Sequence, residues 1–116
     1  MLLVPLSPNK DINITATAAA NVARGKIAAA SLTTSYATLL TMGGDARVLH
    51  LYNSTDQPVL ISLDNGSTDS IELDAGESKA LDYYANGLSL TSSTIKAKYV
   101  STQPSVGSVR AEIARV

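Results

Sequence analysis

Hydrophobic and polar positions alternate with a period of two over short runs along most of this chain, and turn-forming residues separate the runs. Successive side chains of a β-strand point to opposite faces, so such runs predict half-buried strands. The fullest set is RVLHLYNSTDQPVLISLDNGSTDSIEL, from Arg47 to Leu73. Arg47 to Tyr52 is apolar or aromatic at almost every position, the pattern of a strand covered on both faces. Val59, Ile61 and Leu63 then alternate with Leu60, Ser62 and Asp64, and Ile71 and Leu73 alternate with Ser70 and Glu72. Between the first two runs lies Asn53-Ser54-Thr55-Asp56-Gln57-Pro58, turn formers ending in a proline that cannot donate to a central ladder. Between the second and third lies Asp64-Asn65-Gly66-Ser67, whose Asn-Gly pair suits the positive φ angles of a tight hairpin turn. The expectation is a three-stranded antiparallel meander at the centre of an all-β domain.

The flanks continue the pattern. Residues 1 to 10 read as an N-terminal arm: Leu2, Leu3, Val4 and Leu6 are apolar, but Pro5, Pro8 and Asn9-Lys10 keep them from forming a regular element. Such an arm either folds back as an edge strand or reaches onto a neighbouring subunit. Asp11 to Ala18 alternates as a strand. In Ala18 to Ala30 the alanines favour helix while Val22 and Gly25 do not, and Arg24-Gly25-Lys26 reads as a turn between two strands. A strand is expected over about Tyr36 to Met42, ended by Gly43-Gly44-Asp45.

Beyond Leu73 come a turn at Asp74-Ala75-Gly76-Glu77, a strand from Ser78 to Tyr84, a turn at Ala85-Asn86-Gly87 and a short strand at Leu88 to Leu90. Thr94 to Val100 points Ile95, Ala97 and Tyr99 inward and Lys96 and Lys98 outward. An exposed loop from Ser101 to Gly107 carries Pro104, and Ser108 to Ile113 closes the domain with Val109, Ala111 and Ile113 inside. Turn signals recur every 8 to 12 residues or so, the rhythm of an antiparallel β-sandwich of about seven to nine short strands. The expected organisation is an arm at 1–10 and a single domain at 11–116.

Composition narrows the function classes. A chain of 116 residues suits one domain with one core. Its formal net charge of −1 points to no nucleic acid and no anionic membrane through long-range electrostatics. The absence of cysteine removes disulfides, thiolate metal sites and thiol nucleophiles, and fits a reducing compartment. The start, MLLVPLSPNK, lacks the order of charge and apolar residues of a secretory leader, and no run is long and apolar enough to span a membrane. The Asn-x-Ser/Thr matches at Asn13, Asn53 and Asn65 carry little weight without a secretory route. Phe and Trp are absent, so the core is expected to be built from small and β-branched side chains, with the five tyrosines as its large rings. That suits thin sheets about 10 Å apart and makes a poor sugar-stacking platform.

Candidate chemistry is sparse. His50 is the single histidine and lies mid-strand on the face of Val48 and Tyr52; without further His or Cys it builds no zinc site of the usual kind. A half-buried histidine with a hydrogen-bond partner is expected there, and no Gly-x-Ser-x-Gly elbow supports a nucleophile. Asp64, Asp69, Glu72 and Asp74 crowd together, but their spacing does not match a calcium loop, so they read as solvated turn carboxylates. Gly43-Gly44 begins no phosphate loop. Tyr83-Tyr84, adjacent in a strand, should place one ring in the core and the other outside, where an exposed tyrosine makes a protein-contact anchor. Catalytic, cofactor and metal residues are therefore expected to be absent. The candidate protein interface comprises Leu2, Leu3, Val4, Leu6, Tyr83 and Tyr84.

The run VLHLYNSTDQPVLISLDNGSTDSIELDAGESKALDY resembles the small accessory structural proteins of tailed bacteriophage virions. The pieces that carry the resemblance are Asn53-Ser54-Thr55-Asp56-Gln57-Pro58, Ser62-Leu63-Asp64-Asn65-Gly66 and Asp74-Ala75-Gly76, over about the middle third of the chain. The resemblance implies a jelly-roll-like or related sandwich and a non-enzymatic virion protein, assembled in the host cytoplasm. Such a protein decorates the capsid shell as a cement subunit, or else serves at the neck or tail. Its partner would be the major capsid protein or another virion protein. It would act as a homo-oligomer, a trimer first and a dimer second. The reading from another class is a soluble β-module that binds sugar or peptide.

Overall fold

The alternating runs form strands that divide equally between two antiparallel sheets. The structure is a computed structural model and describes residues 21–116. The elements are β1 (Val22–Ala28), β2 (Ala37–Thr41), β3 (Ala46–Asn53), β4 (Val59–Ser62), β5 (Ile71–Leu73), β6 (Ser78–Asp82), β7 (Thr94–Tyr99) and β8 (Ser108–Arg115). Among the described residues, helix is confined to single 3-10 turns at Ala29–Ser31 and Tyr84–Asn86. One sheet runs β1-β8-β3-β6 and the other β2-β7-β4-β5. The arm at 1–10, with Leu2, Leu3, Val4 and Leu6, and the strand expected at Asp11 to Ala18 lie outside the described residues.

Both sheets feed one hydrophobic cluster. Leu49, Leu51, Val109 and Ile113 enter it from the first sheet, and Leu40, Val59, Ile61 and Ile95 from the second. Apart from Met42, the hydrophobic side chains buried in it are aliphatic, and Phe and Trp are absent from the chain. Period-two alternation is kept in β7, where Ile95 and Ala97 are buried between half-buried neighbours, and in β8 from Val109 on, where Val109, Ala111 and Ile113 alternate with half-buried or exposed residues.

The expected meander does not form. β3 pairs with β6 and β8, whereas β4 pairs with β5 and β7 in the other sheet. The chain crosses between sheets at every connection except β4–β5. Asn53 is the reason at the β3–β4 corner. Its fully buried amide donates to the carbonyls of Gln57 (2.9 Å), Leu73 (3.1 Å) and Asp74 (3.0 Å), and its Oδ1 accepts from the Thr55 backbone N–H (3.0 Å) and hydroxyl (2.6 Å). One side chain at the end of a first-sheet strand thus holds the end of β5 in the second. Strand β3 is also less covered than expected, since Val48, His50 and Tyr52 are only half-buried.

The Asn-Gly turn is present, with φ of 62° at Asn65 and 89° at Gly66. It does not join β4 to β5 directly. It sits within a longer loop, closed by Ser70 N–H donating to Ile61 C=O (2.9 Å). Ser62 is buried rather than outward, because its hydroxyl donates to Asp64 (2.7 Å) and accepts from Gly66 N–H (2.9 Å). The Asp74–Glu77 turn forms as expected and carries the chain back to β6.

Arg24-Gly25-Lys26 is not a turn; β1 runs straight through it. Gly25 marks a close approach of backbones instead. A Cβ there would lie 1.7 Å from the Leu39 carbonyl oxygen on β2 of the opposite sheet. That carbonyl is thrown towards β1 by a bulge between Thr38 and Leu40, which also lets the adjacent Leu39 and Leu40 both be buried. Pro104 likewise departs from expectation. It is fully buried, because the neighbouring Gln103 amide donates to the carbonyls of Leu32 (2.9 Å) and Ala29 (3.3 Å) and draws the loop onto the β1–β2 connection. Leu88 to Leu90 gives only an isolated bridge, Leu90 to Ala46.

The β3–β4 and β7–β8 loops are tied by charge. The Asp56 carboxylate accepts from Ser105 N–H (2.9 Å) and hydroxyl (2.7 Å), and these bonds hold it below its ordinary value of 3.8. A lowered folded pKa contributes stability above the ordinary value and loses it as the pH falls through the lower one. Asp56→Asn is therefore expected to flatten the low-pH limb of stability against pH, as read by urea denaturation at stepped pH.

Candidate functional site

The tyrosine pair lies at the end of β6. The chain leaves the strand after Asp82, so the two rings part through a turn and not through strand alternation. Tyr83 packs against the core, and burial raises its hydroxyl pKa. Tyr84 is 65% exposed on the 3-10 turn, and Leu88 nearby is 63% exposed. The turn is well braced: Asp82 accepts from Ala85 N–H (3.0 Å), Leu88 N–H donates to Tyr83 C=O (2.9 Å), and Gly87 closes it at φ 70°. The Arg47 guanidinium lies 5.1 Å from the Tyr84 ring centroid. Tyr84 is thus a large ring held rigidly in solvent, the property of a contact anchor.

His50 is half-buried, with Nδ1 3.0 Å from the Tyr52 hydroxyl and the two rings edge to face at 6.1 Å. Glu112 stands opposite it in the β3–β8 register. Of the carboxylates crowded in sequence, Asp64 and Asp69 both lie near Tyr36, and Glu72 and Asp74 make no cluster with them that could hold a metal. Asp64 accepts from Thr68 N–H (2.9 Å) and the Ser62 hydroxyl (2.7 Å), bonds that lower its pKa. Asp69 accepts from the Tyr36 hydroxyl (2.5 Å) and stands 3.8 Å from Lys98 Nζ, which itself lies over the Tyr36 ring. Partial burial, that hydrogen bond and the negative charges of Asp69 and Asp64 push the Tyr36 hydroxyl well above its usual range. Glu72 and Asp74 are exposed elsewhere. Among the described residues no three His, Cys, Asp or Glu side chains gather as a metal site would need.

Sequence reasoning missed the outer face of β1, β8 and β3. Gly25 and Ala111 face inward, so Arg24, Lys26, Arg110 and Glu112 face out. The register sets three rows across the strands: Val22, Ala114 and Val48; Arg24, Glu112 and His50; Lys26, Arg110 and Tyr52. Open hollows lie along it, one of about 380 Å³ beside Arg24, Lys26 and Arg110, another of about 450 Å³ beside Tyr52, Ser54 and Arg110. Arg24 Nε stands 3.7 Å from Glu112 Oε2. The face has a cationic end that no local sequence signal announces, because β1 and β8, far apart in sequence, build it together.

No protein-family model, curated protein or solved structure matches the chain. The geometry above stands on its own.

Proposed function

We propose that this chain is a non-enzymatic virion structural protein that binds and stabilises a phage capsid shell as a decoration subunit. The observation that carries the reading is the strand order, β1-β8-β3-β6 against β2-β7-β4-β5. We take the two sheets as the layers of a jelly-roll-like sandwich, an architecture common among capsid proteins. Their shared aliphatic core supports this, as do the turns that carry the resemblance to phage accessory proteins: Asn53–Pro58 and Asp74–Glu77 are the corners where the chain changes sheet.

The features that would bind a shell are surface features. Tyr84 and Leu88 offer a braced apolar projection, and the hollows on the first sheet are open, as suits a broad macromolecular partner. Near-zero net charge leaves recognition to shape and apolar contact. A small subunit gains hold on a repeating lattice through multivalency, which favours a homo-oligomer, a trimer before a dimer. The apolar arm with Leu2, Leu3, Val4 and Leu6 serves in this reading as the segment ordered by a neighbour.

The test is co-purification of the chain with virus particles through a density gradient. Retention with full particles is the expected outcome, and a chain that never associates with any particle defeats the reading. Deleting residues 1 to 8 is expected to reduce both oligomer mass and particle occupancy. If the shortened chain stays assembled and still saturates particles, the arm has no such role.

A further inference from the structure

We propose that the outer face of β1, β8 and β3 docks the acidic β5–β6 margin of a second copy of this chain, head to tail. The inference rests on the homo-oligomer reading above and names its interface. Lys26 stands directly opposite Arg110 in the β1–β8 register, both side chains outward. Like charges directly opposite each other weaken a sheet. The one carboxylate on this part of the face, Glu112, is engaged by Arg24 at 3.7 Å, and neither Lys26 nor Arg110 has an ion-pair partner among the described residues. A pairing that opposes folding is accounted for when an anionic partner satisfies it on assembly. Tyr52, next across the sheet from Arg110, supplies the ring that such a contact buries.

The chain carries the matching surface itself. From Asp56 to Asp82 Lys79 is the single cation, while Glu72, Asp74, Glu77 and Asp82 fall on β5, the β5–β6 turn and the end of β6. Glu72, Asp74 and Asp82 are exposed. Among the described strands β1 and β6 are opposite margins of the first sheet, so cationic and acidic surfaces sit on opposite sides of the described domain. A contact between two different patches is heterologous, and it closes into a ring when the rotation between subunits allows. A trimeric ring is the closed form that fits the functional reading.

The experiment is sedimentation velocity of the full chain, without particles, at low and high salt. The Debye length is about 30 Å at 0.01 M and about 3 Å at 1 M, so a charge-paired interface weakens across that range. The expected result is self-association at low salt that weakens at least about tenfold at high salt. Two variants follow, Lys26→Glu with Arg110→Glu, and Glu72→Lys with Asp74→Lys, each checked by circular dichroism for an intact β signal. Each alone is expected to lose association, and an equimolar mixture is expected to regain it as dimers or even-numbered assemblies, because complementary patches then meet only between the two variants and a ring of three would leave one like-charged contact. A wild-type chain that is monomeric at every salt concentration overturns the proposal and leaves the patch to another acidic partner. Variants that associate like the wild type, or a mixture no better than its parts, overturn it too. Particle binding is not read in this experiment, so its failure is separate from failure of the virion reading.

Discussion

Gly25→Ala is expected to lower stability by about 3 kcal/mol or more, a large loss for one added methyl group. The Cβ would meet the Leu39 carbonyl oxygen at 1.7 Å, its carbon at 2.8 Å and Leu40 Cα at 3.2 Å. All three are backbone atoms, so no side chain can swing aside, and relief requires moving β1 off β2 or undoing the bulge at Leu39. The bulge in turn holds two consecutive leucines in the core. Gly76→Ala is the control. Its φ is 78° and nothing lies within 4 Å of the new Cβ, so only the left-handed backbone penalises it, by about 1–2 kcal/mol. Urea denaturation of both variants checks the order. Equal losses would mean that the sheets do not approach at Gly25 as described.

Asn53→Ala is expected to cost about 3 kcal/mol, again by denaturant midpoint, since it strips several buried groups of partners at once. The carbonyls of Gln57, Leu73 and Asp74 lose a donor, and Thr55 loses its acceptor. Asn53→Asp keeps the shape but turns a carboxylate oxygen towards those three carbonyls. It is expected to be the worse variant at neutral pH and to recover in part on acidification, when a protonated carboxyl can again donate. If Asn53→Asp is as stable as the parent at neutral pH, the amide is not the tie between the sheets.

Local pattern carried much of this fold. Each strand from β2 to β8 lies on a run that the sequence marks as a strand, and the Asn-Gly and Asp74–Glu77 turns form where their residues call for positive φ or a compact bend. Partnership between strands was not legible. Neighbours in sequence suggested that β3 pairs with β4, but pairing is decided by which faces share a core, and that depends on distant segments such as β8. Gly25 misled because glycine serves both turns and close backbone contacts, and only the position of Leu39 distinguishes them. Pro104 misled because its burial depends on Gln103 reaching the β1–β2 connection. The Tyr83–Tyr84 division was anticipated, though a turn produces it. The Lys26–Arg110 pair could not be seen, since the two residues become neighbours only when the first described strand meets the last.

The central claim is that the chain binds a capsid shell and strengthens it. The direct measurement is thermal disruption of particles lacking the chain, followed by calorimetry with and without a saturating amount of the purified protein. A ligand that binds the intact shell and not its disrupted form raises the disruption temperature, by an amount that grows with the logarithm of its free concentration once that exceeds Kd. The expected result is an upward shift that increases with added protein and that the Gly25→Ala variant, when unfolded, fails to produce. Particles whose disruption temperature is unchanged at saturating protein would contradict it.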